Sequence, residues 1–211
     1  MSPNPNELTI SGLACVRGDV TLFAALDFSV AAGDVLQIQG ANGSGKTSLL
    51  RLLCGLSPPA AGTIRWNGVD IAEQAGDYRC AVSYIGHRRG VSEELSPLEN
   101  LEFACALHHP AAPPACRDAL TALGLERRLH TPARLLSAGQ VQRTALARLM
   151  LSDAPVWILD EPFTALDSDG RAQIEQLLEQ HAARGGLSVI ATHQPLQLDT
   201  GRVRTLRIDE S

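Results

Sequence analysis

Three clusters in this 211-residue chain pair residue types and spacings that chemistry can use. The first is GANGSGKT, with Gly40, Ala41, Asn42, Gly43, Ser44, Gly45, Lys46 and Thr47. Its glycines let successive backbone N–H groups turn inward around phosphate oxygens. Lys46 adds a point charge on the β- and γ-phosphates, and Thr47 offers a hydroxyl to Mg²⁺, so the cluster reads as a nucleotide site. The second is VWILDEP, Val156 to Pro162, an apolar strand that ends in two carboxylates. Asp160 is placed to hold Mg²⁺ through its water shell, and Glu161 to polarise an attacking water as general base. The third is LSAGQ: Leu136, Ser137, Ala138, Gly139 and Gln140. A serine and small residues opening a helix leave its first N–H groups bare, which makes a second anion site. Two phosphate-seeking helix starts beside one phosphate loop suggest that the second serves a neighbouring subunit.

The elements that must position these clusters follow from pattern. Glu7 to Leu13 and Thr21 to Val30 read as strands, and Val35 to Gln39 as a short apolar strand running into the phosphate loop. A helix is expected over Thr47 to Leu53, stopped near Gly55. Thr63 to Asn67 and Ala81 to Ile85 are further strands. From about Val91 to Ala133 the character changes to helices and proline turns. Ser96-Pro97-Leu98-Glu99 is a capping-box pattern opening a helix through Leu107, and Pro113-Pro114 introduces another ending near Gly124. Ser137 and Gln140 repeat the capping pattern at the head of a helix to about Leu151. Val156 to Leu159, Ser168 to Ala183 and Leu187 to Thr192 read as strand, helix and strand, with His193 closing the last. Strands alternating with helices make a parallel α/β core with a helical lobe inserted near its middle.

Composition narrows the function. A formal net charge of −5 argues against a bulk nucleic-acid binder. No apolar run approaches the length of a membrane span; Arg51 interrupts the best one, Leu49 to Leu56. The segment MSPNPNELTI lacks the charged and apolar regions of a signal peptide, so a cytosolic chain is expected. Five cysteines (Cys15, Cys54, Cys80, Cys105, Cys116), odd in number and without C-x-x-C spacing, are expected to include several buried, reduced thiols, with a disulfide or zinc role as the lesser alternative. Trp66 and Trp157 read as packing residues and His108-His109 as exposed loop. Arg127, Arg128, His130 and Arg134 read as a solvated basic face, with a place near membrane lipid or an acidic partner as the alternative.

On GANGSGKT, LSAGQ and VWILDEP the chain resembles the ATP-binding subunits of ABC transporters, whose signature is LSGGQ. That resemblance implies a single ATPase domain over 1–211: an α/β nucleotide-binding core of mainly parallel sheet (1–90 and 152–211), an N-terminal antiparallel β subdomain, and a helical subdomain over about 91–151. It implies ATP as substrate with Mg²⁺ held near Thr47 and Asp160, Glu161 as base, Lys46 as phosphate ligand, and His193 as the switch histidine at the γ-phosphate. Two copies would form a head-to-tail sandwich, each lending Leu136 to Gln140 and Asp167, in the D-loop stretch Thr164 to Asp167, to the other's nucleotide. Integral membrane permease subunits are the implied partners.

Two positions depart from the family. His87, in YIGHRRG, stands where a glutamine usually touches Mg²⁺ and the membrane subunit, which leaves metal contact open and keeps a coupling role. The aromatic residue that stacks on adenine is missing; Arg17 aligns nearest, either stacking on the base or sitting as a solvated loop arginine. YIGHRRGVSEELSPLENLEF, LSAGQVQRTALARL, WILDEPFTALD and THQPL together are similar to the haem exporter ATPase of cytochrome c maturation systems. The implied work, at the cytoplasmic face of a bacterial inner membrane, is haem export or release of a haem-loaded chaperone. The alternatives are the ATPase of another ABC importer or exporter, or a non-transport ATP-dependent module.

Overall fold

The structure, a computed structural model, describes residues 6–108, 113–198, 201 and 203–208. Leu8–Arg17 (β1) and Val20–Val30 (β2) pair antiparallel, with Arg17 opposite Val20 across the hairpin turn. Val35–Gln39 (β3) feeds the phosphate loop, and Lys46–Leu53 (α1) follows it. Gly55, with φ at 64°, takes the left-handed conformation that stops α1. Ala61–Trp66 (β4) pairs with β1, and the two-residue Val69–Asp70 (β5) pairs with β4. These strands make an antiparallel sheet in the order β2-β1-β4-β5.

Ala75–Cys80 (α2), Val82–Ile85 (β6), Pro97–His108 (α3), Pro113–Ala122 (α4) and Ala138–Met150 (α5) come next. Val156–Asp160 (β7), Ser168–Ala183 (α6), Leu187–Ala191 (β8) and Val203–Arg207 (β9) complete the described elements. The second sheet runs β6-β7-β8-β3-β9, and its β7–β8, β8–β3 and β3–β9 pairs are all parallel. The α/β class expected above, with its antiparallel sheet and its helices, is the observed one.

The chain divides into two compact units. The first takes the chain up to Tyr84, Ala154–Glu161 and the part from Leu178 onward. Both sheets of this unit bury their apolar faces in one core, where Leu49, Leu50 and Leu53 of α1 meet Leu8 and Leu13 of β1 and Ile158 of β7. Every residue of β7 and β8 is buried, as expected for strands covered on both faces. Trp157 is a packing residue, its ring stacked on that of His181 at 3.8 Å between centroids and 9° between planes. Trp66 packs more loosely, tilted against Tyr78.

The second unit holds Ile85–Asp153 and Pro162–Leu177. The α3 capping box is formed: Ser96 N donates to Glu99 Oε2 at 2.8 Å, and Glu99 N to Ser96 Oγ at 3.4 Å. The Ser96 amide, and next the Ser96 hydroxyl donating to Oε2 at 2.7 Å, hold the Glu99 carboxyl below the usual range. His108 belongs to the last turn of α3 rather than to a loop, and His109 lies outside the described residues. Of the basic residues on this unit, Arg134 pairs with Glu94 at 3.0 Å on an exposed surface. All five cysteines are free thiols.

Candidate nucleotide-binding and catalytic site

The phosphate loop of the first unit is shaped by close approach. A Cβ on Gly40 would stand 2.4 Å from Ile208 O, and one on Gly45 would press the Phe23 ring at 3.2 Å. Gly43 and Gly45, with φ of 92° and 97°, turn the backbone in ways that other residues resist. Lys46 is buried, and its Nζ donates to the carbonyls of Gly40 and Ala41, each at 2.8 Å. Ser44 Oγ is buried without a protein partner inside this loop. A buried hydroxyl in that condition suits a loop built to meet phosphate oxygens.

At the end of β7, Thr47 Oγ1 donates to Asp160 Oδ2 at 2.8 Å, joining α1 to a carboxylate 113 residues away. Glu161 follows with φ of 49°, a left-handed conformation that costs a non-glycine residue on the order of 1 kcal/mol. Its amide is held by Ala191 O at 2.8 Å, which fixes the corner. His193, two residues past β8, places Nε2 at 3.1 Å from Asn42 Oδ1 and 3.4 Å from Glu161 Oε1. One ring nitrogen facing two acceptors favours the tautomer with its proton on Nε2. Behind the strand end, Tyr84 has its hydroxyl pKa pushed up to about 12, first by burial and then by the Asp160 charge.

The first unit therefore gathers Gly40 to Thr47, Asp160, Glu161 and His193. Arg17 is exposed at the end of β1. The remaining expected site residues, Leu136 to Gln140, Asp167 and His87, belong to the second unit.

There the signature stretch heads α5. Ser137 Oγ accepts from Gln140 N at 3.2 Å, and Gln140 Oε1 accepts from Ser137 N at 2.9 Å. This box uses the serine oxygen as acceptor and leaves its O–H proton for another acceptor. The two glycine positions of the family signature differ in surroundings. Ala138 is exposed, whereas a Cβ on Gly139 would stand 2.5 Å from Ala165 O. An alanine is thus accommodated at 138 but not at 139. Asp167 accepts from Gly170 N at 2.9 Å and from Arg143 Nη2, and its carboxyl is held below the usual range, first by the Gly170 amide. His87 is exposed in the loop after β6.

Sequence reasoning missed the residues that hold the site from behind. Gln37, buried in β3, donates its amide to Thr192 O at 3.4 Å and Gln194 O at 2.9 Å, the carbonyls on either side of His193. Asn100 donates to Ser92 O, Leu95 O and Ser96 O and accepts from Ser92 N, tying down the approach to α3. A buried polar residue inside an apolar strand was the available signal for Gln37.

Comparison with known proteins decides the family. The model of the ABC transporter family matches residues 23–164. The chain belongs to that family. ABC ATPases bind ATP, and hydrolysis of ATP in a transporter subunit is the enzymatic class of this chain. It is 50% identical over 202 residues to a protein of Methylococcus capsulatus named cytochrome c biogenesis ATP-binding export protein CcmA, covering 95% of this chain and 97% of that one. A solved ATP-binding subunit of an ABC transporter matches with a TM-score of 0.79 at 27% identity, over 88% of this chain and 79% of the other. A dimeric ATP-binding cassette bound to ADP and phosphate shares the fold, with a TM-score of 0.83 at 22% identity over 97% and 96% of the two chains. Among the described residues, no helix of this ABC ATPase is long and apolar enough to cross a membrane.

Proposed function

We propose that this ABC ATPase is the energising subunit of a membrane complex for c-type cytochrome biogenesis. It would be bound peripherally to integral permease subunits at the cytoplasmic face of a bacterial inner membrane. The observation that carries this reading is the near-complete, 50% likeness to the cytochrome c biogenesis export protein. The work done is haem export or release of a haem-loaded chaperone.

Within each site the phosphate loop binds the nucleotide, with Lys46 exchanging its two loop carbonyls for β- and γ-phosphate oxygens. The hydroxyl of Thr47 and the carboxylate of Asp160, already side by side, are hard oxygen donors of the kind Mg²⁺ takes. Held by these two groups, a Mg²⁺ would supply positive charge against the charge developing on the transferring phosphoryl group. Glu161 takes a proton from the attacking water, and His193, held toward Asn42 and Glu161, donates Nε2–H to the γ-phosphate. Ser137 and Gly139 of a second copy complete the site from the opposite side, with Asp167 at the same junction. Arg17 is the residue assigned to stack on the base, and His87 couples the site to the permease.

Phe103 and Leu107, one turn apart on α3 and both exposed, supply apolar surface of the kind such a partner covers. The test is to delete the gene in its native host and restore it with wild type or with Glu161→Gln. Loss of covalently attached haem from c-type cytochromes, restored by the wild type alone, is expected. Normal cytochromes in the deletion strain would transfer the protein to another ABC system.

A further inference from the structure

Within the second unit one buried amide joins two segments that sequence alone keeps apart. Gln142, on α5, is 3% exposed. Its Nε2 donates to Pro162 O at 2.9 Å, and its Oε1 accepts from Arg89 Nε at 2.5 Å. Arg89 is itself anchored, because Arg148 Nη2 donates to its carbonyl at 2.8 Å. A Cβ on Gly90 would come within 3.3 Å of the Arg148 guanidinium, so the backbone lies close against that side chain.

Each end of the bridge has functional weight. Arg89 lies two residues after His87, in the loop assigned above to the permease. Pro162 directly follows Glu161, whose left-handed backbone depends on its surroundings for support. Proline has no N–H, so its carbonyl is the group by which the backbone after the base can be held. The Gln142 amide is buried, and its charge-assisted bond from Arg89 is part-buried, so removing one partner leaves the other short of a hydrogen bond.

We propose that Arg89 and Gln142 are positioning residues that tie the loop at His87 to the backbone of Glu161, so that movement of that loop alters the rate of hydrolysis. The relay runs from the Arg89 guanidinium through the Gln142 amide to the Pro162 carbonyl, and α5 carries the signature motif at its head. A permease that displaces the loop releases Gln142 and with it the corner that aims Glu161. The inference rests on the reading of Glu161 as base and of the His87 loop as the permease contact.

ATP hydrolysis is measured for the isolated subunit and for the lipid-reconstituted complex with its native permease. Arg89→Met keeps the stem and removes the donor. It should lower kcat about tenfold in the complex, lower the basal rate of the isolated subunit as well, and leave KM for ATP and Tm unchanged. Arg89→Lys should restore most of the loss. Arg89→Met with Gln142→Met should be no worse than Arg89→Met alone, because the two act through one bridge. A normal rate in the Arg89→Met complex overturns the proposal. So does a parallel loss in both preparations together with a lowered Tm, which marks a structural role only. Glu161→Gln serves as the separate control: if it remains active, the base assignment fails, whatever Arg89→Met shows.

Discussion

Nε2 of His193 lies 3.4 Å from Oε1 of Glu161, with Asn42 Oδ1 on its other side at 3.1 Å. The histidine therefore bridges the phosphate loop and the candidate base, although the two are far apart in sequence. Glu161→Gln keeps the size and the hydrogen-bond acceptor but loses the basicity. Turnover should fall by about 10²-fold or more, while ATP binding survives. Gel filtration with ATP and Mg²⁺ should then show a trapped dimer. Turnover near the wild-type rate would remove Glu161 from the mechanism.

Lys46→Ala takes away both loop bonds and the cation meant for the phosphates. Equilibrium binding of a non-hydrolysable ATP analogue should weaken by about 10²-fold. Unchanged affinity would break the phosphate-loop assignment.

The signature makes an asymmetric prediction. Gly139→Ala drives a methyl toward Ala165 O at 2.5 Å and should destabilise the protein by about 1–3 kcal/mol. Ala138→Gly, at an exposed position, should stay within about 1 kcal/mol. Urea unfolding of the two variants separates them, and equal losses would contradict the crowding at 139.

Acid stability should depend on His181. Burial lowers its pKa to about 4 from an ordinary 6.5, against the raising effect of the Leu187 and Pro155 carbonyls. The unfolded chain thus binds the proton more readily, so this stabilisation is full above pH 6.5 and lost as pH falls toward 4. The whole swing is on the order of 3 kcal/mol. His181→Phe, which keeps a ring on Trp157, should flatten the unfolding free energy across that window. An undiminished slope would assign the acid sensitivity to other groups.

Much of this architecture is written in local pattern. Both capping boxes were legible because Ser96/Glu99 and Ser137/Gln140 satisfy their bonds within one helical turn. The short apolar strands β3, β7 and β8 announced themselves by composition. The elements that escaped have no such signal. Ala75–Cys80 is too short for a helical period, β5 is two residues long, and Val203–Arg207 is a mostly exposed strand rich in arginine. Gln37 and Gln142 escaped for another reason: their partners, Thr192 and Pro162, are 155 and 20 residues away. Such bonds exist only once the chain has folded. The need for glycine at 139 likewise rests on the position of Ala165 O, which no spacing rule supplies.

The two bonds from Lys46 to its own loop bear on kinetics. With the ammonium bracing Gly40 and Ala41, the cradle keeps its curvature before an anion reaches it. Nucleotide capture is then a swap of partners at a ready-made socket, without a search by the chain for the right shape. Association should stay close to the diffusional limit, leaving the slow, regulated events to the meeting of two copies and the release of spent nucleotide.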